Sequence, residues 1–279
     1  MSTCSRRCQA KFATDLSSPV PRKSLGQHFL ADQAIAARIV AEAEIAKDDL
    51  VIEIGPGTGA LTVQLARRAK RVIAIELDRS LIPTLESKLG ASHNVTIVHG
   101  DALEADFRAL VQQETESFAT IRFVANLPYY ITSAAIRRIL ECDLPISVAV
   151  LTVQAEVAER IVARPPEMSM LAVSVQFYGQ PELLFKIPPD RFHPPPSVES
   201  AVVRISPHAG QRPIAPADFF QVVKAGFCQP RKQLRNTLAA GLKLEKPHVT
   251  AWLERAGIAP TRRPETLSVE EWIRLCERR

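Results

Sequence analysis

Three glycines spaced two apart, Gly55, Gly57 and Gly59, stand directly behind the run Val51-Ile52-Glu53-Ile54, and the helix-compatible stretch Ala60 to Ala69 follows. The pattern reads as a strand, a bare-backbone turn and a helix N-terminus. Glycines at such a turn let backbone N–H groups approach a ligand with no Cβ in the way, and the start of a helix adds partial positive charge. The spacing therefore predicts a cofactor with anionic or strongly polar groups. Gly55-x-Gly57-x-x-Ala60 satisfies a dinucleotide fingerprint, whereas Glu53, two residues before the first glycine, is the acid favoured there by S-adenosylmethionine enzymes. The turn alone does not choose between them.

More residues with chemistry fall where later strands should end. Val72 to Ile75 runs into Glu76, about 20 residues past the glycines, where a carboxylate can accept hydrogen bonds from both ribose hydroxyls of either cofactor. Asp78 beside it reads as the cap of a helix beginning near Ser80. Asp101, after Val98-His99-Gly100, can accept from an adenine amino group or stabilise the turn it sits in. His99 reads as structural, and the six histidines show no metal-ligand spacing, so no metal is expected. Phe123-Val124-Ala125 then delivers Asn126-Leu127-Pro128-Tyr129, with a second aromatic in Tyr130. Asn126 offers a carboxamide oxygen, Leu127 a carbonyl fixed by the following proline, and Tyr129 a flat face. Two acceptors and a stacking surface suit an exocyclic amine on a planar base. An isolated tetrad of this kind would be an ordinary turn with a packed aromatic; the series of strand ends before it favours the chemical reading. A nicotinamide oxidoreductase accounts for the glycine turn and Glu76 but leaves the tetrad without a role.

Holding these residues together requires an alternating β/α chain. The hydrophobic pattern predicts strands at 50–54, 71–76, 95–99, 120–125 and 147–152, with helices at 60–69, 80–89, 106–114, 132–140 and 154–163. Short apolar strands between helices imply a parallel sheet buried on both faces, with ligands at the carboxyl ends of the strands. An earlier helix begins at Asp32, its N-cap, with Ile35, Ile39 and Val40 on one face. After Pro165-Pro166 the chain reads as strand-rich, and Leu171–Tyr178, Pro181–Ile187 and Ser200–Ile205 are expected to complete the sheet with an antiparallel member. The turn formers from Ser206 to Pro213 predict a domain boundary, followed by helices at 216–228, 231–241, 247–256 and 268–277. The last opens with Ser268 and Glu271 in capping-box spacing.

At 279 residues and 46% hydrophobic content the chain can build one full domain and a smaller one. Its apolar runs fall well short of the ~20 residues of a membrane span. Five cysteines form no C-x-x-C pair and leave an odd count, which indicates a reducing compartment, with Cys4 and Cys8 read as thiols in a tail. Residues 1–21 read as a disordered extension without the apolar core of a secretory signal; their Arg and Ser content is shared with organelle transit peptides. The net charge of +5 is unevenly placed. From Ile205 onward there are 13 Lys and Arg against 7 Asp and Glu, whereas the rest carries 22 against 23. A basic C-terminal quarter suggests a polyanionic partner, most simply nucleic acid.

Five segments, taken together, resemble the ribosomal RNA adenine N6-dimethyltransferase family, and its small-subunit branch in particular. They are Gly26-Gln27-His28-Phe29-Leu30, Glu53 to Gly59, Asn126 to Tyr129, Phe192-His193-Pro194-Pro195-Pro196-Ser197-Val198, and Arg231-Lys232-x-Leu234-Arg235-Asn236. The resemblance runs from Arg22 to the C-terminus. It implies a Rossmann-like class I methyltransferase sheet over residues 22–206 and a small all-helical C-terminal domain over 207–279. S-adenosylmethionine is then the cofactor, with His28 and Leu30 at its methionine end, Gly55 and Gly57 in the glycine loop, Glu76 on the ribose, Asp101 on the adenine and Asn126 facing the reacting centre. Asn126, Leu127, Pro128 and Tyr129 form the catalytic set, with Phe192 approaching the other face of the target base. Arg231, Lys232, Arg235, Arg262 and Arg263 would hold RNA phosphates. The implied substrate is a pair of adjacent adenosines in a hairpin loop near the 3′ end of small-subunit rRNA, within an assembling 30S-type subunit. A cytoplasmic monomer with no membrane partner is expected. A large-subunit rRNA methyltransferase of the resistance type and a non-catalytic assembly factor are the alternatives. Pro230 stands where relatives usually carry a basic residue, and Met168-Ser169-Met170 lacks the Tyr-Gly type of residues expected there.

Overall fold

The computed structural model describes residues 21–22, 25–90, 92–210, 213–229 and 231–279. The expectations for residues 1–20, Cys4 and Cys8 among them, and for Pro230 fall outside these.

A two-residue strand, β1 (Phe29–Leu30), lies apart from the main sheet. The main sheet is built from β2 (Leu50–Ile54), β3 (Arg71–Glu76), β4 (Val95–His99), β5 (Ile121–Asn126), β6 (Ile146–Gln154), β7 (Gly179–Ile187) and β9 (Ser200–Pro207). Between the last two, β8 (Phe192–His193) pairs antiparallel with β1, setting Phe29 opposite His193 and Leu30 opposite Phe192. The spatial order is β4-β3-β2-β5-β6-β9-β7, parallel from β4 through β6; β9 runs antiparallel to both of its neighbours, β6 and β7, so it alone is reversed in the sheet. Because β2 is flanked by β3 on one side and β5 on the other, the chain reverses its direction of winding there and opens a crevice at the carboxyl ends of β2 and β5.

Every residue of β2 is buried, which requires cover on both faces. On one face Ile52, Ile73 and Phe123 pack with helices α4 (Phe107–Gln112), α5 (Thr132–Glu141) and α6 (Ala155–Val162). On the other, Val51, Val72 and Val124 pack with α1 (Gln33–Glu42) and α2 (Thr62–Ala66). The alternation of neighbouring residues between the two clusters is the period of two of a strand. The connection after β3 carries α3 (Ile82–Leu89), preceded by a 3₁₀ turn in which the Ser80 amide and hydroxyl both donate to the Asp78 carboxylate. Asp32 caps α1 by accepting from the amides of Ala34 and Ile35, as its position predicts.

One expected strand is a helix. Leu171–Tyr178 belongs to α7 (Met170–Tyr178), which starts at Ser169, whose hydroxyl accepts from the Ala172 amide. Its residues are apolar almost all round because it is buried on two sides. Val175 faces the sheet core, while Ala172, Val173 and Phe177 face the helical C-terminal core. A helix used in this way loses the polar stripe that marks an amphipathic helix and reads like a buried strand.

The C-terminal core is formed by α8 (Pro216–Phe227), α9 (Leu234–Leu242), α10 (Lys246–Arg255) and α11 (Val269–Glu277) around Phe219, Leu238, Trp252 and Trp272. The capping box at Ser268 and Glu271 is complete in both directions. A Cβ on Gly241 would lie 2.7 Å from the Ala225 Cα, so α8 and α9 meet backbone to backbone at that point.

Candidate active site

The glycine loop has the left-handed backbone its sequence requires, with φ of +68° at Gly55, +57° at Gly57 and +84° at Gly59. The amides of its three glycines are not free for an anion. Gly55 donates to the Ile75 carbonyl at 3.0 Å, Gly59 to the Pro56 carbonyl at 2.9 Å, and Gly57 to Glu76 Oε2 at 2.9 Å. The expected helix from residue 60 is also shorter than its sequence predicts, since α2 begins only at Thr62 and runs five residues. Both sources of anion affinity that the sequence offers are thus diminished, and the loop serves to aim Glu76. That carboxylate is 5% exposed, accepts a second amide from Asp78 at 2.8 Å, and keeps a lone pair on each oxygen for a diol. Burial raises its pKa.

Glu53 is 1% exposed, and neither of its oxygens makes a hydrogen bond among the described residues. It does not tie the glycine loop down through a hydrogen bond. Burial pushes its carboxyl up to about 8, with the nearby Thr62 hydroxyl opposing the shift and the Glu76 charge adding to it.

Glu76, Asp101, Asn126, Leu127, Tyr129 and Phe192 all border one cleft, which encloses about 920 Å³ with its open mouth included. His28, Gly55, Gly57 and Pro128 border it too. Leu30 does not; it lies behind the glycine loop in the valine-rich core, 5% exposed. Asp101 does one of the two things its sequence position allows and keeps an acceptor for the other. Oδ1 accepts from the Leu103 amide at 2.8 Å and holds the turn, and no hydrogen bond among the described residues uses Oδ2. His99 is exposed rather than packed.

The tetrad follows β5 into the cleft. Asn126 Nδ2 donates to the His28 carbonyl at 3.1 Å, which fixes the carboxamide's orientation and leaves Oδ1 as its free end. His28 Nδ1 donates to the Pro194 carbonyl at 2.8 Å, and its ring stacks on Tyr129 with centroids 5.6 Å apart. Tyr129 shares a 2.8 Å hydrogen bond with the Ser200 hydroxyl, so one ring face and the phenol oxygen are already engaged. Phe192 packs into the core beside Leu30 and also reaches the cleft wall. The segment before β1 is tied across the cleft edge. Gln27 Nε2 donates to Asp78 Oδ2 at 3.0 Å, and Arg22 lies 3.5 Å from the same carboxylate. Sequence pattern alone does not mark Gln27, Leu77, Ser200 or Tyr130 as site residues. Tyr130 is visible as the aromatic after the tetrad; Ser200 carries no local signal, because its bond to Tyr129 spans 71 residues.

The basic residues expected to hold RNA divide into two kinds. Arg231, Lys232 and Arg235 are exposed around the start of α9. Arg263 is 57% exposed at the neighbouring loop, with Glu265 3.9 Å away. Arg262 is a correction. Its guanidinium grips both carboxylate oxygens of Glu271 and the hydroxyl and carbonyl of Thr266, so four of its five N–H donors fasten the last loop to α11 and its charge is paired with Glu271 instead of being offered to phosphate.

The sheet order and the residues gathered at its switch point define an α/β methyltransferase of the Rossmann-like kind. Within that class, the chain belongs to the ribosomal RNA adenine dimethylase family, whose model matches residues 20–279. It is 44% identical over 276 residues to the ribosomal RNA small subunit methyltransferase A of Dehalococcoides mccartyi, covering 98% of this chain and 94% of the relative. Among solved structures it is similar to the 23S rRNA methyltransferase ErmE, with a TM-score of 0.70, 31% identity, and coverage of 90% of this chain and 98% of that one. A dimethyladenosine transferase from Plasmodium falciparum shares the fold at a TM-score of 0.76 and 25% identity, over 89% of this chain and 96% of its own. Membership of the family makes the chain an rRNA-modifying methyltransferase that uses a methyl donor.

Proposed function

We propose that the protein uses S-adenosylmethionine to methylate N6 of two adjacent adenosines in a hairpin loop near the 3′ end of small-subunit rRNA, giving N6,N6-dimethyladenosine on an assembling 30S-type subunit. The observation that carries this reading is the state of the tetrad. Asn126 Oδ1 and the Leu127 carbonyl receive no hydrogen bond among the described residues, and both belong to the wall of one cleft beside a half-buried aromatic ring.

The residues fit the cofactor as well as the substrate. Glu76 has lone pairs for ribose hydroxyls, Asp101 Oδ2 for an adenine amino group, and His28, Gly55 and Gly57 border the remaining length of the cleft. When bound, S-adenosylmethionine supplies an electrophilic sulfonium methyl. The chain's own task is to free the N6 lone pair, which conjugation with the purine ring withholds. Hydrogen bonds from N6–H to Asn126 Oδ1 and the Leu127 carbonyl favour a pyramidal nitrogen with its lone pair out of the ring plane. The pyrrolidine ring of Pro128 fixes its φ and so keeps that carbonyl turn rigid. Tyr129 takes one face of the base on the side away from His28, and Phe192 limits the other; stacking of this type contributes about 1–3 kcal/mol per base. Holding the nitrogen in line with the transferred methyl supplies much of the remaining rate gain. No side chain has to act as a base during attack, because the proton leaves once methylation has made the nitrogen acidic.

Residues 22–206 in this reading perform the transfer and 207–279 grip the RNA through Arg231, Lys232, Arg235 and Arg263, in a cytoplasmic monomer. The test is to incubate the protein and methyl-labelled S-adenosylmethionine with unmodified small subunits and, separately, with naked large-subunit rRNA, and to map the methylated base. Label in the large-subunit RNA alone would overturn the substrate assignment. Asn126→Ala is expected to abolish transfer while S-adenosylmethionine binding, read by calorimetry, stays within about threefold of wild type. Equal loss of both would make Asn126 a structural residue.

A further inference from the structure

Among the described residues the large apolar side chains left exposed are Leu77, Tyr130 and Val198, with Tyr130 the most open at 60%. Leu77 and Tyr130 both border the cleft, and Val198 lies two residues before Ser200, the partner of Tyr129. Single exposed apolar residues are ordinary, but two of the three bordering one cleft indicate a surface that meets something flat or apolar.

Tyr130 follows the base-stacking Tyr129 directly, in the 3₁₀ turn Tyr129–Ile131. Three residues per turn set successive side chains about 120° apart. Tyr129 therefore points inward to Ser200 while Tyr130 swings to the mouth. Its ring rests against Gly26, where an added Cβ would lie 3.4 Å from Tyr130 Cδ1, and the Gly26 φ of +55° turns the chain around it. No hydrogen bond among the described residues uses its hydroxyl. The ring is thus supported at its edge, open on a face, and commits no polar group to the fold.

We propose that Tyr130 is a second stacking platform, one that receives the base of the nucleotide next to the target adenosine once the target has turned into the cleft. The inference rests on the function proposed above. Drawing one base out of a loop strips its neighbour of a stacking partner, and that loss opposes entry of the target. An aromatic ring one residue along from the target's own platform returns a π-face to the neighbour. Stacking of this kind accepts any base, but it needs a base to be there. Tyr130 is a positioning residue in this scheme; it holds the RNA in register and touches neither the transferred methyl nor N6.

The experiment compares wild type, Tyr130→Ala and Tyr130→Trp on small subunits reconstituted with rRNA in which the nucleotide beside the target, on the 5′ or the 3′ side, is intact or abasic. For wild type, removing the neighbouring base on one side is expected to raise the RNA KM about 10-fold, within the range of one missing stack. Tyr130→Ala should show the same rise on intact RNA and no further rise on the abasic substrate, and Tyr130→Trp should match wild type. S-adenosylmethionine affinity and kcat should stay within about twofold throughout. If the two effects multiply, Tyr130 and the neighbour do not meet and the inference fails. If Tyr130→Ala weakens S-adenosylmethionine binding, the ring covers the cofactor instead, and the inference fails again. Should wild type methylate none of these particles, the function proposed above falls first and takes this inference with it.

Discussion

The donor end of the Asn126 carboxamide is committed to the His28 carbonyl, so only its oxygen is left for a substrate amine. Asn126→Asp keeps an oxygen in that place but removes the donor and sets a negative charge against a carbonyl oxygen. Loss of most activity is expected, measurable as a fall in kcat with little change in cofactor affinity. Glu53 supplies a different test, because its environment acts on the whole protein's stability. The folded chain holds the Glu53 proton up to about pH 8, whereas an unfolded chain releases it near 4.5. Between those values unfolding releases a proton, so stability declines as pH rises, by at most about 1.4 kcal/mol per pH unit. Glu53→Gln removes the titrating proton. Its melting temperature should gain on that of wild type from pH 5 to pH 8, and a constant difference across that range would show that Glu53 is ionised in the folded protein.

At the scale of elements, the central strands are the most legible part of the sequence. Burial on both faces of β2, β3 and β5 leaves mainly apolar runs, interrupted by Glu53 and Arg122, and each run ends in a residue that the fold carries to the cleft. α7 reads wrongly as a strand because burial on two sides erases its helical period. The β1–β8 pair has no local signal at all, since what makes Phe29–Leu30 a strand is a partner far along the chain. The same limit governs Arg262 and Arg263: adjacent letters of equal charge, one clamped to Glu271 and the other 57% exposed. Their difference is open to measurement. Replacing Arg231, Lys232 and Arg235 with Gln should weaken rRNA binding and flatten its dependence on salt, by a slope of about 0.7 to 0.9 for each phosphate no longer neutralised. Arg262→Gln should leave that slope unchanged and lower the melting temperature by a few degrees, because it frees the last loop from α11.

In the whole molecule, the sheet and the helical C-terminal core share α7, which contributes side chains to both. Two cores that share a helix should melt together. A single calorimetric transition is expected, raised as one when S-adenosylmethionine binds. Gly226→Ala gives a sharp probe, since its Cβ would lie 2.3 Å from the Trp272 ring. Overpacking of this kind costs about 1–3 kcal/mol. The variant should lower the whole transition, and an unshifted melting step for the sheet would show that the two parts are independent.

The small β1–β8 pair also sets a schedule. It joins Phe29 to His193 and Leu30 to Phe192, positions more than 160 residues apart. A ribosome adding about 5–20 residues per second needs roughly 10–30 s to bridge that interval. Throughout that time the nascent chain carries its glycine loop, and later its Asn126 tetrad, without the partner that pins the N-terminal edge of the cleft. The N-terminal edge of the cleft is therefore completed only late in synthesis, after Phe192 and His193 have left the exit tunnel.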